Sequence, residues 1–368
     1  MRANSSIFVD IVLRNEVIRA RCQMSNSRFI LVLLVLSLFA VSCENEIDVT
    51  AEWKEVPVVY GLIDPAAKYN YIRVNRVYLN EEGDARSYAS VADSINFDQL
   101  SVSLTEFVDG VEQNTIRFEK VLGDTIGLPK DDGLFATSPN ILYRSDYDFL
   151  ASDFRRTVRY ELLILNEESG KIYRSETLSP GFAEAKTPIR RTRKSINISD
   201  GENSNIAITY IEGIYVRSYD LVVRFRYEEF PKSDTFDKHI DSIDWVVFTN
   251  KETKRLTGYV EKSVIVDGAV FYQIVGASIE EDTTVLRRPL DMAFIYYGAT
   301  EDLYTYVNVN KPSIGIVQKK PEFTNIENGL GVFAGRYVNW YDDIYIRPEM
   351  RFTLAGSRYT KHLNFVTN

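Results

Sequence analysis

Cysteine and histidine are scarce in this 368-residue sequence, which contains two of each. Thiolates and imidazoles are the main ligands of zinc and related metals, and histidine is the usual base of a hydrolytic triad. His239 and His362 each stand alone in a polar segment, without a second histidine four residues away. We therefore expect no metal site, no catalytic residues of these types and no cofactor.

Positive charge is also in deficit, with 43 Lys and Arg against 52 Asp and Glu, a formal net charge of −9. An acidic chain offers no electrostatic attraction to phosphate backbones, so nucleic acid is not expected as a partner. Carboxylates are abundant enough for a glycoside hydrolase, but their abundance carries no information about a site.

Long apolar runs are limited to one, Phe29 to Val41. As a helix it would cover about 20 Å of a hydrocarbon core roughly 30 Å thick, which is too short to span and typical of a secretory signal. Ala40-Val41-Ser42-Cys43, at the end of this run, resembles the lipobox of bacterial lipoproteins, with Ala40 in place of the usual Leu. The resemblance implies a signal peptide over residues 24–42 and a covalent lipid on Cys43. The alternative is a buried apolar helix with a chance cysteine.

Residues 1–23 do not fit a signal peptide, because Asp10 and Glu16 would lie in a region that should be short and basic. Met24 with Arg28 makes an ordinary start. We therefore expect residues 1–23 to be a mis-assigned start, with an extended leader as the alternative.

Residues 43–52 form an acidic tether that contains Glu44, Glu46 and Asp48. It resembles the signal that sends Bacteroidota lipoproteins to the outer face of the outer membrane. We expect an outer-membrane, lipid-anchored protein that faces the cell exterior, with an ordinary solvated tether as the alternative.

Beyond the tether, apolar residues recur at every second position between turn residues, which predicts strands. Segments 56–63 and 69–79 flank an Asp64-Pro65 turn, and Asp109-Gly110 predicts a tight hairpin. The same reasoning predicts a hairpin at Asp267-Gly268, between strands 263–266 and 269–275. Helices are expected over residues 300–309 and near residues 348–363.

Residues 154–178 resemble the last two strands of fibronectin type III and immunoglobulin-like sandwiches. In those folds a tyrosine corner bonds back to the main chain, and Tyr160 is the candidate here. The expected fold is mainly β. It comprises an immunoglobulin/fibronectin-III-like sandwich over residues 53–185, then a basic linker at residues 186–194, which opens a second antiparallel β domain, residues 186–368, with one or two short helices.

A glycine-rich segment near the carboxyl end is the candidate structural or binding segment. It contains three glycines within seven residues, which require positive φ angles or a close approach of another chain or ligand. No Lys-Ser/Thr follows, so a nucleotide loop is not expected. Arg336 is predicted to pair with a carboxylate of the fold or of a ligand. The segment's candidate residues are Asn325, Asn328, Gly329, Gly331, Gly335 and Arg336.

Aromatic residues are plentiful, with 23 Tyr and 20 Phe. Most belong in the core of a β protein, but exposed rings also stack on sugars and peptide side chains. A group towards the carboxyl end is a weak sign of a glycan or peptide ligand of the second domain: Tyr296, Tyr297, Tyr304, Tyr306, Tyr337, Trp340 and Tyr341.

The tether, VPVVYGLID at residues 56–64, TVRYELLI at 157–164 and TNIENGLGVFAGR at 324–336 together resemble a family of uncharacterised Bacteroidota outer-membrane lipoproteins, a domain of unknown function. Its members often lie beside TonB-dependent receptors. The resemblance implies a non-enzymatic binding or accessory module for such a receptor. A purely structural envelope lipoprotein and a carboxylate-based glycan hydrolase are the alternatives.

Overall fold

The computed structural model describes residues 56–77, 90–133, 135–189, 194–201, 204–311 and 322–367. The predicted signal peptide, Cys43 and the acidic tether lie outside these ranges. Strand accounts for 51% and helix for 14% of the described residues, so the mainly β prediction is confirmed.

The described residues of the first half form a β-sandwich of seven strands. One layer is β1-β2-β5 and the other is β3-β6-β7. β4 pairs with β3 through residues 111–118 and with β5 through residues 119–122, so it joins the two layers into one continuous sheet. This distribution of the first to seventh strands is that of an immunoglobulin-like sandwich. A four-residue helix, α1 (Ala92–Ile95), precedes β3. The strands are β1 (Val56–Ile63), β2 (Asn70–Val77), β3 (Leu100–Val108), β4 (Val111–Leu122), β5 (Ile141–Ser145), β6 (Val158–Asn166) and β7 (Ile172–Leu178).

Local sequence accounts for these strands. Every second residue of β6 is buried. Val158, Tyr160, Leu162 and Ile164 enter the core, while Arg159 and Glu161 stay outside. Asp109 and Gly110 both have positive φ, 51° and 81°, as a two-residue hairpin between β3 and β4 requires. The hairpin predicted at this position is confirmed.

The described part of the second half contains two sheets and three α-helices. The larger sheet has the order β12-β11-β14-β15, with β9 beside β15, and the smaller has the order β13-β10-β8. The strands are β8 (Glu184–Thr187), β9 (Ser195–Ile196), β10 (Asn205–Ile211), β11 (Ser218–Pro231), β12 (His239–Glu252), β13 (Glu261–Asp267), β14 (Val285–Ala299) and β15 (Leu330–Ile346). The helices are α2 (Ala269–Ser278), α3 (Glu301–Asn310) and α4 (Pro348–Gly356).

The hairpin predicted at Asp267-Gly268 is wrong, because α2 follows β13. Gly268 has helical angles, φ −65° and ψ −22°, and the Asp267 carboxylate accepts a hydrogen bond from the Ala269 N–H at 2.9 Å. Phe271, Tyr272 and Val275 then fall on one helical face and are buried in the core. An aspartate before a helix satisfies a free N–H of the first turn. Asp-Gly can therefore precede a helix as well as form a hairpin turn.

β15 belongs to both halves. Residues 330–335 pair in parallel with β1, and residues 336–345 pair antiparallel with β14. Each half has its own hydrophobic core, yet Ile326 and Phe333 belong to the core of the first half. Residues Trp53–Asn368 form one compact unit, and the predicted linker begins inside β8.

Candidate functional site

The glycine-rich segment is held tightly against its neighbours. Gly331 has a φ of +102°, and a Cβ there would overlap the main chain of Val59 in β1. A Cβ on Gly335 would lie 2.5 Å from the Leu178 carbonyl oxygen, and one on Gly329 would lie 2.8 Å from the Ile326 side chain. Close approach therefore accounts for all three glycines, and positive φ for Gly331 as well.

Side chains of the same segment bond the main chain. The Asn325 carboxamide donates to the Phe333 carbonyl at 2.7 Å and accepts from the Phe333 N–H at 3.0 Å. The Glu327 N–H donates to the Arg174 carbonyl of β7 at 2.8 Å. Asn328 takes a positive φ of 58° and is exposed. The segment thus joins β7 to β15.

Arg336 forms no ion pair with any carboxylate of the described residues, and its side chain is exposed. Burial raises the pKa of Asp64, and the positive charge of Arg336 partly offsets that rise. Arg336 therefore influences Asp64 through its charge. The predicted pairing of Arg336 with a carboxylate of the fold is not seen among the described residues.

Tyr160 is completely buried at the start of β6. Its hydroxyl accepts a hydrogen bond from the Leu150 N–H at 2.8 Å and donates to Glu106 Oε2 at 3.0 Å. Burial and the Glu106 carboxylate raise the Tyr160 pKa. The hydroxyl thus ties the loop before β6 to the core.

A cleft of about 540 Å³ lies beside the glycine-rich segment, and we refer to it as the aromatic cleft. Its floor is the outer face of β15, β1 and β2, where Val58 lies opposite Leu330 on one side and Asn75 on the other. Helix α3, Lys130 and Phe135 form walls. The lining residues are Val58, Tyr60, Arg73, Asn75, Arg76, Val77, Ile95, Lys130, Phe135, Tyr306, Asn310, Glu322, Phe323, Leu330 and Gly331.

Exposed aromatic rings face this cleft. Tyr60 is 43% exposed and Phe135 is 56% exposed. The Tyr60 and Tyr306 rings meet edge to face with centroids 6.1 Å apart, and their hydroxyl oxygens are 3.3 Å apart. Burial and the Tyr60 hydroxyl raise the Tyr306 pKa to about 12. An amphipathic surface of this kind suits a ligand with both apolar faces and polar groups.

The other aromatic residues singled out from the sequence are divided between core and surface. Tyr296 and Tyr337 are fully buried, and Tyr341 is partly buried against the same core. Trp340 is 43% exposed, with the Arg224 guanidinium 5.4 Å from its ring centroid. Only Tyr306 of this group lines the aromatic cleft, whereas Tyr297, Tyr304 and Tyr337 line a smaller cleft of about 310 Å³ on α3.

The aromatic cleft also contains cations that the sequence analysis did not select. Arg73 Nη2 donates to Asn140 Oδ1 at 3.0 Å, while Arg73 Nε is buried without a hydrogen-bond partner among the described atoms. Lys130 Nζ donates to the Ala136 carbonyl at 2.9 Å. Burial, and then the Arg73 charge, lower the Lys130 pKa. Arg73 is an outward residue of β2, which the alternation of that strand indicates; nothing in the sequence indicates Lys130.

An open groove of about 960 Å³ contains two carboxylates, Asp200 and Asp267, among its lining residues. Hydrogen bonds from Ser204 and from the Ala269 N–H lower the Asp267 pKa, so Asp267 is an anion at neutral pH and a poor proton donor. Within the described ranges, no group of three or more His, Cys, Asp and Glu residues is placed to hold a metal ion.

No protein-family model matches the chain, and no curated protein is significantly similar to it. The resemblance to Bacteroidota outer-membrane lipoproteins therefore stays a prediction. No helix in the described part of the chain has both the length and the apolar character needed to cross a membrane.

Proposed function

We propose that the protein is a non-enzymatic binding module, anchored in the outer membrane by lipid on Cys43 and accessory to a TonB-dependent receptor. The aromatic cleft carries the binding part of this proposal. Exposed rings, amides and cations converge in a preformed cavity of the size that small ligands occupy. The anchor rests on the sequence of residues 24–48 and the receptor on the family resemblance.

The chemistry of the cleft favours binding over hydrolysis. A glycoside hydrolase needs two carboxylates on opposite sides of the scissile bond. Glu322, which is exposed, is the one carboxylate among the described lining residues of the aromatic cleft. The lining also contains phenols and a carboxamide, those of Tyr60, Tyr306 and Asn75, which can hydrogen-bond a ligand but do not supply the second carboxylate.

The anchor is tested by detergent-phase partitioning of the full chain. Acyl chains contribute about 0.8 kcal/mol per buried CH₂, so the acylated protein should stay in the detergent phase. The Cys43→Ser variant cannot be acylated at this position and should leave that phase or remain unprocessed. Unchanged partitioning of Cys43→Ser would refute the lipid anchor.

The receptor is tested by purifying the lipidated chain from outer membranes and identifying the proteins that remain bound in stoichiometric amount. We expect a TonB-dependent receptor. Its absence, with normal membrane localisation of the chain, would refute the accessory function and favour a structural envelope protein.

The cleft is tested by isothermal titration with a library of oligosaccharides and peptides. We expect the Tyr60→Ala and Tyr306→Ala double variant to lose binding. Phe236→Ala is the control, since its ring is 92% exposed and does not line the cleft. Equal ligand binding by the double variant and the parent chain would refute the aromatic cleft as the binding site.

A further inference from the structure

The described lining of the aromatic cleft has a charge of opposite sign to that of the whole protein. The chain carries a net charge of −9. Among the described residues, the lining contains three cationic side chains, Arg73, Arg76 and Lys130, and one exposed carboxylate, Glu322. A cationic cavity in an anionic protein concentrates anions at one place on its surface.

Arg73 and Lys130 have no carboxylate partner within 4.0 Å among the described residues. Each uses one donor on a neutral acceptor, the Asn140 side chain and the Ala136 carbonyl. The two cations also repel each other, because the charge of Arg73 disfavours the charged form of Lys130. An anion in the cleft would relieve this repulsion.

Aromatic and cationic groups are adjacent in this cleft. Tyr60 lies directly opposite Arg73 in the register of β1 and β2, which places both side chains on one sheet face with Cβ atoms about 5 Å apart. Tyr306 meets Tyr60 from α3. Asn75 and Asn310 add carboxamides that both donate and accept hydrogen bonds.

We infer that the aromatic cleft binds a saccharide that carries a carboxylate, with Arg73 and Lys130 on the carboxylate and Tyr60 and Tyr306 against the sugar ring. This inference rests on the proposed binding function and names its ligand class. The planar guanidinium of Arg73 matches a carboxylate in geometry as well as charge.

An acidic peptide fits this site less well. Extended peptides gain much of their affinity by adding a strand to a free sheet edge. β1, which forms the middle of the floor, is already paired on both sides, with β15 and with β2. A ligand on this face is therefore held by side chains, and the side chains present are rings, amides and cations.

The test is isothermal titration of the full chain with uronic acid trisaccharides of the galacturonate, glucuronate and mannuronate series, each compared with its methyl ester. The ester keeps the ring and removes the charge. We expect at least one acid to bind at least about tenfold more tightly than its ester, which corresponds to about 1.4 kcal/mol. Its binding should weaken as salt rises.

Arg73→Gln and Lys130→Gln should each weaken binding of that acid at least about tenfold and leave the ester unchanged. Arg117→Gln is the matched control, because Arg117 is exposed on β4 and does not line the cleft. An unchanged thermal midpoint in each variant shows that folding is intact.

Several outcomes would overturn the inference. These are acid and ester binding equally, no acid of the three series binding, an unaffected Arg73→Gln variant, or oligoglutamate displacing the acid with equal affinity. Capture of a receptor together with binding of a neutral saccharide or a peptide would leave the proposed function standing while this inference fails.

Discussion

The side chain of Asn325 pairs with both main-chain polar groups of Phe333, at 2.7 Å to the carbonyl and 3.0 Å to the N–H. The carboxamide thus makes the two hydrogen bonds that the main chain of a paired strand residue would make. It does so where β15 enters the core of the first half. Phe333 itself is fully buried in that core.

Replacing Asn325 should destabilise the fold. Asn325→Leu leaves the Phe333 N–H and carbonyl without these partners, and we expect a loss of about 1–3 kcal/mol of unfolding free energy in chemical denaturation. Gln113→Ala, which removes an exposed carboxamide on β4, is the control and should change stability by less than about 0.5 kcal/mol. Equal effects of the two substitutions would refute a structural role for Asn325.

Gly331→Ala should be more costly than Gly110→Ala. Both glycines have positive φ, +102° and +81°, so both substitutions strain the main chain by about 1 kcal/mol. At Gly110 a Cβ meets nothing within 4 Å, whereas at Gly331 it overlaps Val59. Denaturation midpoints of the two variants measure the difference, and a Gly331→Ala variant as stable as Gly110→Ala would show that β1 and β15 are not so close.

Tyr160→Phe should reduce stability by about 1–3 kcal/mol, because it leaves the partly buried Leu150 N–H and the buried Glu106 carboxylate each without one partner. Tyr147→Phe is the matched control. The Tyr147 hydroxyl also donates to Glu106, at 3.1 Å, but in a partly exposed position. We expect the smaller effect there, and the reverse order would argue against Tyr160 as the corner residue.

The protein should lose stability at alkaline pH. Burial raises the pKa of Tyr143 to about 12 from the ordinary value of 10.0, and burial together with Asp241 raises that of Tyr227 to about 12. Between these values the unfolded chain releases phenolic protons that the folded chain keeps, so each rise in pH favours unfolding. The contribution of these two buried phenols to the free energy of unfolding is complete below pH about 10 and lost by pH about 12. Urea midpoints across this range measure it.

Tyr143→Phe separates this effect from others. The Tyr143 hydroxyl is buried and has no hydrogen-bond partner among the described atoms, so its removal should cost little at neutral pH. The variant should lose less stability than the parent chain between pH about 10 and 12. Identical alkaline profiles for the variant and the parent would contradict the raised pKa.

Limited proteolysis should cut first within residues 186–194, where basic side chains surround Pro188. The nicked protein should nevertheless remain one particle in size-exclusion chromatography, because residues 330–335 pair with β1 and Phe333 fills the first core. Fragments that separate and stay folded would show that the halves are independent domains.

Features that depend on neighbouring residues could be predicted from the sequence alone. Alternation specified β6, and Asp109-Gly110 specified the turn between β3 and β4, because both signals act over a few residues. The crowding of Gly329, Gly331 and Gly335 likewise indicated a close approach, since a missing Cβ is needed only where space or φ demands it.

What this segment approaches, and which side chains meet in the cleft, depends on the tertiary fold. The pairing of β1 with β15 joins residues more than 270 positions apart, and the choice of helix over strand after Asp267 depends on the core that Phe271 fills. Tyr60, Arg73, Lys130 and Tyr306 come from four separate segments and share a cleft because of that pairing and the packing of α3 upon it. Their proximity depends on long-range pairing, which local sequence patterns do not encode.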